Sequence, residues 1–313
     1  MPTHVIIGRG GTASATAVRL AESGDQVRVV SRSGTGPEHP NIERIALDAG
    51  DTAALAALAK GADTVFNLAM PPYHTWPETV PPLFGSIQSA AEQSGANYVM
   101  LGNLYGYGPS NSVLTEDAPL AATGPKGRVR AQMWQDAKVA HDAGRLRATE
   151  VRAGQFLGAG AASLFSIVVQ PKVLAGQLAL VPQELDLPHT YTAIGDAAAA
   201  LVAVARDDRA WGRAWLAPSI TSTVREVAER FAAAAGAPAP HLSVMTDREL
   251  TLLGNTDPFW GELFETYYMS HRKFTVDDSA IRNTFGVTAS DLDDVLAEVV
   301  GVIGIRPGPT VPA

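Results

Sequence analysis

Three observations predict a doubly wound α/β fold, a parallel sheet with helices on both faces, for this chain of 313 residues. The chain opens on a short β-rich run, His4 to Ile7, that breaks into Gly8, Gly10 and Gly11 and then turns helical, with Ala15, Val18, Leu20 and Ala21 apolar. Strands then alternate with helices as far as Arg152, the rhythm of a parallel sheet built from crossover units. Beyond Arg152 that rhythm changes, which predicts a smaller second part covering the first.

Each element follows in order. A second strand over 27–30 ends at Ser31-Arg32-Ser33-Gly34, and a third over 42–47 ends at Asp48. Asp51 is placed to cap a short Ala/Leu helix reaching Lys60. A buried strand over 64–68 contains Asn67 and runs into Ala69-Met70-Pro71-Pro72, and a helix is predicted over 81–94. The fifth strand spans 98–101, a Gly- and Tyr-rich loop 102–108, a helix 128–143 and the sixth strand 148–152. Past that point helices are predicted over 163–174, 196–206, 224–235, 247–253 and 292–300, with strands over 178–181 and at Trp215-Leu216. The expected organisation is a dinucleotide-type domain over 1–155 with parts of 187–220. A substrate-covering subdomain takes 156–186 and 221–313.

Composition excludes several function classes. Hydrophobic residues make up 46% and charged residues 18%, so the chain is globular. A net charge of −8 with no block of Lys and Arg argues against nucleic acid as a partner. There is no cysteine, which removes disulfides, a thiol nucleophile and thiolate metal sites. The seven histidines lack ligand spacing, so no metal site is expected. No apolar run reaches membrane-spanning length, and no signal segment opens the chain; a cytoplasmic protein that does not meet the membrane is expected.

Strand, glycine turn and helix together are the context in which a glycine fingerprint carries meaning. The glycines let the backbone turn sharply and approach a pyrophosphate. The helix start, through Gly10, Gly11, Thr12 and Ala13, offers free N–H groups and a positive dipole end. A Rossmann-like dinucleotide site is therefore expected here.

Gly8-x-x-Gly11-x-x-Ser14 and the elements that follow resemble the extended short-chain dehydrogenase/reductase superfamily, the NAD(P)-dependent epimerase/dehydratase group, over nearly the whole chain. In such folds an acid at the end of the second strand favours NAD. Here Ser31 and Arg32 stand there, with Arg9 inside the glycine loop, and guanidiniums and hydroxyls suit a 2′-phosphate. NADP is expected over NAD. The resemblance further implies Asp48-Ala49 beside the adenine and Asn67, Leu68 and Ala69 along the cofactor cleft. Gln155, in Arg152-Ala-Gly-Gln-Phe-Leu-Gly158, is implied near the carboxamide or the substrate.

The group's chemistry rests on a Ser or Thr after the fifth strand and a Tyr-x-x-x-Lys on the next helix. This chain carries Trp134-Gln-Asp-Ala-Lys138, a spacing that puts both side chains on one helix face. Lys138 is expected to hold the nicotinamide ribose, with Trp134 where the Tyr should be. An indole N–H donates a hydrogen bond but exchanges no proton at ordinary pH. The serine motif reads Leu101-Gly102-Asn103-Leu104-Tyr105-Gly106, leaving Asn103 as the nearest polar residue. A substitute acid is then sought, Tyr107 ahead of Tyr105, with Tyr73 and His74 as further candidates. His189 and Tyr191 are candidates for the substrate pocket, strand packing being the other reading of Tyr191.

The sequence thus points to an NADP(H)-dependent oxidoreductase or epimerase/dehydratase-like enzyme acting on a small organic carbonyl or hydroxyl substrate. The alternative is a non-catalytic NADP(H)-binding sensor or scaffold. A homodimer through the helices over 81–94 and 128–143 is implied by the resemblance alone.

Overall fold

The computed structural model describes residues 1–304; the predicted subdomain's last stretch, 305–313, lies outside the described residues. In chain order the elements of the first half are β1 (Thr3–Ile7), α1 (Gly11–Glu22), β2 (Gln26–Ser31), β3 (Ile42–Ala46), α2 (Thr52–Ala59) and β4 (Thr64–Asn67). They continue with α3 (Trp76–Ser94), β5 (Asn97–Asn103), α4 (Pro125–Asp142) and β6 (Ala148–Ala153). β1 through β6 pair in parallel, and β10 (Ala214–Leu216) adds a seventh strand beside β6, in the order β10-β6-β5-β4-β1-β2-β3. The reversal of strand order between β1 and β4 makes a switch point, and such a fold opens a crevice beyond the carboxyl ends of the strands there.

The strands are apolar because both sheet faces are covered. Val5 and Ile7 pack with Val65, Ile87, Met133 and Trp134 on the α2–α3–α4 side. Ile6, Val29, Phe66 and Val151 pack with Leu20 and Leu201 on the other. That second face is closed by α1 and by α6 (Ile194–Arg206).

The rest of the chain builds a cover. β7 (Gln155–Leu157) pairs with β9 (His189–Ala193), and β9 with β11 (Ile220–Ser222); β8 (Leu178–Val181) pairs with β12 (His241–Val244). Around them lie a π-helical turn at Phe165–Val169, α5 (Gln170–Leu174), α7 (Val224–Ala235), α8 (Asp247–Gly254), α9 (Pro258–Gly261), α10 (Tyr267–Ser270), α11 (Ser279–Phe285) and α12 (Leu292–Ile303). Their own core is centred on Phe165, Phe231, Tyr191 and Leu296.

Three boundaries differ from expectation in ways that matter for the site. α3 begins at Trp76, not at 81, because Pro77 lies in the first turn, where a missing N–H costs nothing. β5 runs on to Asn103, since Gly102 still pairs with Arg152 and a side chain at that position would collide with the Glu150 carboxylate. α4 begins at Pro125 after an extended Gly124, three residues before the predicted start.

Candidate active site

At the carboxyl end of β1, Gly8 adopts φ +123°, and a Cβ there would stand 2.5 Å from the Leu68 carbonyl oxygen. Only glycine lets the β1 turn press this closely on the end of β4. α1 then starts at an extended Gly10 with no side-chain cap and no acid in its first turn. The N–H groups of Gly11, Thr12 and Ala13 are therefore left for an anion, as the diphosphate of a dinucleotide requires. A Cβ on Gly11 would lie 2.4 Å from the carbonyl oxygen of Gly160, so the chain after β7 sits directly on this loop.

The residues expected around the adenosine half occupy the ends of β2, β3 and β4. Arg9 and Arg32 are exposed and make no ion pair among the described residues. Ser31 Oγ donates to the Thr35 carbonyl and accepts from the Thr35 N–H, closing the turn that carries Arg32. Asp48 is exposed and accepts the Gly50 N–H at 2.9 Å, beside buried Ala49. Asn67 is a different case. It is fully buried, donates to Tyr98 Oη at 2.8 Å and accepts from the Ala69 N–H, so its side chain serves the strand end.

A cavity of about 450 Å³ adjoins the glycine loop, within the range of small-molecule sites. Gly10 to Ala13, Leu68, Asn103 and Gln155 line it, together with Tyr73, Trp76, Tyr105 and Arg130. Phe156, Leu164, Ile167, Phe259, Leu263 and Met269 make most of its remaining wall apolar. Asn103 Oδ1 accepts the Tyr105 N–H at 3.1 Å, which fixes the turn after β5. Gln155 donates to Gln183 Oε1 at 3.2 Å.

On α4 the cavity meets Arg130, not the pair singled out by sequence. Trp134 is buried in the core between α3, α4 and the sheet. Lys138 is 39% exposed and donates to both oxygens of Asp142, at 2.5 and 2.6 Å. The physical reason is helical phase: Met133, Trp134, Ala137 and Ala140 form the stripe that faces the sheet, and Lys138 falls outside it. The same four-residue spacing occurs eight positions earlier as Lys126-x-x-x-Arg130, directly after the Gly124–Pro125 helix start, and of that pair Arg130 lines the cavity.

Lys126 is fully buried and paired with Glu262 and, at 3.3 Å, with Glu265; its ammonium also stands 4.7 Å from the Tyr73 ring centre. Glu265 Oε1 accepts the N–H groups of Lys126 at 2.6 Å and Gly127 at 3.2 Å, so one carboxylate satisfies the free start of α4. Arg130 is 3% exposed, and its Nε and Nη1 have no hydrogen-bond partner among the described residues.

The tyrosines separate. Tyr105 and Tyr73 both line the cavity, and Tyr73 Oη donates to Tyr105 Oη at 3.2 Å. Burial pushes both phenols above their ordinary value, and the positive charge of Arg130 opposes that rise at Tyr105. Tyr107 instead is 2% exposed, outside the cavity, and accepts from Arg152 Nη1 at 2.7 Å, while Arg152 Nε donates to Glu150 at 2.6 Å. Its hydroxyl belongs to a closed buried chain, which corrects the preference for Tyr107 over Tyr105. His74 is exposed on the short turn Tyr73–Thr75 and is not part of the cavity lining. His189 and Tyr191, each 1% exposed, lie on β9 inside the cover and do not line the cavity, so strand packing accounts for both. Burial pushes the His189 imidazole down to about 4.

No group of His, Asp and Glu among the described residues is arranged to hold a metal ion. No described helix is long and apolar enough to cross a membrane.

Residues 4–144 match the family model of the saccharopine dehydrogenase NADP binding domain. No curated protein matches the sequence. Among solved structures the chain is similar to dTDP-glucose 4,6-dehydratase from Bacillus anthracis in complex with NAD, at 14% identity and a TM-score of 0.79, covering 96% of each chain. It is also similar to UDP-glucose 4-epimerase from Thermotoga maritima with UDP-glucose, at 15% and 0.77, covering 96% of this chain and 98% of that one. A third likeness is to UDP-glucose 4-epimerase from Bifidobacterium longum in complex with NAD+ and UDP, at 18% and 0.75, over 95% and 97%. The strand order and these likenesses show a Rossmann-like α/β fold, whose first part matches the model of an NADP binding domain.

Proposed function

We propose that the protein is an NADP(H)-dependent oxidoreductase acting on the carbonyl or hydroxyl of a small, mainly apolar organic substrate. One observation carries the reading: a single cavity is lined both by the uncapped start of α1 and by Tyr73 and Tyr105, whose hydroxyls are bonded to each other. A bound nicotinamide supplies or takes the hydride. The chain's own residues cradle the diphosphate at Gly11 to Ala13, exclude water with the apolar wall, and present a phenol proton.

Tyr105 is the donor in this reading. Its raised pKa keeps it protonated at neutral pH, and an alkoxide forming on the substrate is more basic still, so the proton moves downhill. Tyr73 donates to Tyr105 and so orients the hydroxyl that faces the substrate. NADP is favoured over NAD by Arg32 and Ser31 at the end of β2, where no acid stands. The matched domain is described as NADP-binding, whereas two of the similar structures hold NAD, so the preference rests on those two residues. The small-molecule substrate is the main partner, and a homodimer through α3 and α4, on which Val139 stands 62% exposed, completes the reading. A monomeric mass in light scattering would remove the dimer.

The test is titration with NADPH and NADH, followed by Trp76 fluorescence, and then NADPH oxidation with a panel of aryl and alkyl carbonyls. NADPH binding with turnover is the expected result. Arg32→Ala is expected to weaken NADPH about tenfold and to leave NADH within about twofold, the pattern of a lost phosphate contact.

A second reading has its own observation. α4 lines the cavity through Arg130 and carries no phenol along its length. A non-catalytic NADP(H)-responsive protein fits that feature, and tight NADPH binding without oxidation across the panel would select it.

A further inference from the structure

A single exposed apolar side chain is ordinary on any protein. Met70 and Ile167 are less ordinary: 53% and 51% exposed, both line the one cavity. They come from the two parts of the chain. Met70 follows β4 on the dinucleotide side. Ile167 sits in the π-helical turn of the cover, where Phe165 and Val169 are buried in the cover's own core and Ile167 is left to the cavity. Turns of this kind recur at functional sites. Leu164, Phe259, Leu263 and Met269 continue the apolar wall.

The polar side chains of that wall are engaged by the cover itself. Thr266 Oγ1 donates to the Leu263 carbonyl at 3.3 Å, Ser270 Oγ to that of Tyr267 at 3.3 Å, and Gln155 Nε2 to Gln183 Oε1 at 3.2 Å. Arg130 is the one charged side chain of the lining among the described residues. It holds the second place of Lys126-x-x-x-Arg130, where the resembling group has the cation of the nicotinamide ribose, and its Nε and Nη1 have no surface open to the cavity. An anion seated against Met70 and Ile167 would therefore give up its water with no cation to replace it, which is costly. An alkyl or aryl chain would instead gain from the apolar surface that it covers on both.

We propose that Met70 and Ile167 are specificity residues of the cavity, and that the substrate is an uncharged, lipophilic carbonyl or alcohol whose alkyl or aryl tail lies against both. The proposal rests on the reading of this cavity as a substrate site beside a dinucleotide, and adds to it the absence of charge and the place of the tail.

The test is a series of methyl ketones from 2-pentanone to 2-nonanone, with 8-oxononanoate as the charged counterpart of the longest, titrated by calorimetry into the whole protein with and without NADPH. In the wild type, affinity is expected to rise about threefold per added methylene. 8-Oxononanoate is expected to bind about tenfold or more weakly than 2-nonanone. Met70→Ser and Ile167→Ser are each expected to cut the gain to about twofold or less per methylene, with NADPH affinity within about twofold of wild type. Leu178→Ser, at an exposed leucine of β8 outside the cavity, is expected to keep the wild-type slope. Failure of every ketone to bind, affinity that does not grow with chain length, or 8-oxononanoate binding as tightly as 2-nonanone overturns the proposal without needing any variant. So does a wild-type slope in either of the Met70 and Ile167 variants, or a slope that falls as far in Leu178→Ser. NADPH binding with no chain-length dependence sinks this proposal alone. Absence of NADPH binding sinks the functional reading, while the slope on the free protein remains measurable.

Discussion

Tyr105 and Tyr107 are two positions apart and share a raised phenol pKa, yet only one of them faces the cavity. Tyr105→Phe is expected to lower turnover by roughly 10²–10⁴-fold, the range for losing a positioned acid. Tyr107→Phe breaks the contact from Arg152 and is expected to leave turnover within a few-fold; steady-state rates at saturating cofactor check both. His189 gives a second residue-scale expectation. Its imidazole sits at about 4 in the fold because burial disfavours the cation, against about 6.5 when unfolded. The unfolded chain therefore binds more protons between those values, and stability falls as pH drops from 6.5 toward 4. The loss from this residue is on the order of 3 kcal/mol at most. His4 and His271 are lowered by burial as well and act in the same direction. Denaturant unfolding across that window is expected to show the slope, and His189→Leu to flatten part of it. A steeper slope in the variant would refute the assignment.

α4 is the element on which the site depends, and the one that the sequence describes least well. Its start is held from 139 positions away, by the Glu265 carboxylate on the N–H of Lys126. Glu265→Ala removes that cap and one partner of a buried lysine, and is expected to destabilise the protein by about 2–4 kcal/mol, with Glu265→Gln costing less. Chemical denaturation measures both. This dependence explains what could be read in advance. The strands and the glycine loop follow from local pattern, because burial on both faces forces continuous apolar runs and the turn at Gly8 forces glycine. The phase of α4 relative to the cavity does not. Trp134 and Lys138 satisfy the four-residue spacing as well as Lys126 and Arg130 do, and the choice is made by Glu262, Glu265 and Trp76, none of them near α4 in sequence. His189 is equally illegible in the local pattern, because β9 is buried at every position by the cover packed around it.

At the scale of the whole molecule the chain is divided by task, though not by a simple cut. β10 returns to the sheet built by β1 to β6, while the pieces on either side of it supply the cover. The two meet in the backbone contact of Gly160 on Gly11, where neither residue has a side chain to intervene. Ala162, Ser163, Leu164 and Ile167, on the same stretch of chain, line the cavity. A ligand taken up at the start of α1 therefore presses on the segment that shapes the other end of its own binding space. A dinucleotide there and a substrate in the cavity are expected to share a free energy of interaction, and such coupling is reciprocal. Measured around a closed cycle, the factor by which NADPH changes the affinity of a carbonyl substrate is expected to equal the factor by which that substrate changes the affinity of NADPH. It is expected to differ from one, and Gly160→Ala, whose Cβ would stand 3.3 Å from Gly11 Cα on a left-handed backbone, is expected to change it. A factor of one in the wild type would mean that the contact transmits nothing. On this view the affinity that each molecule finds in the presence of the other is set at a place where the chain carries no side chain at all.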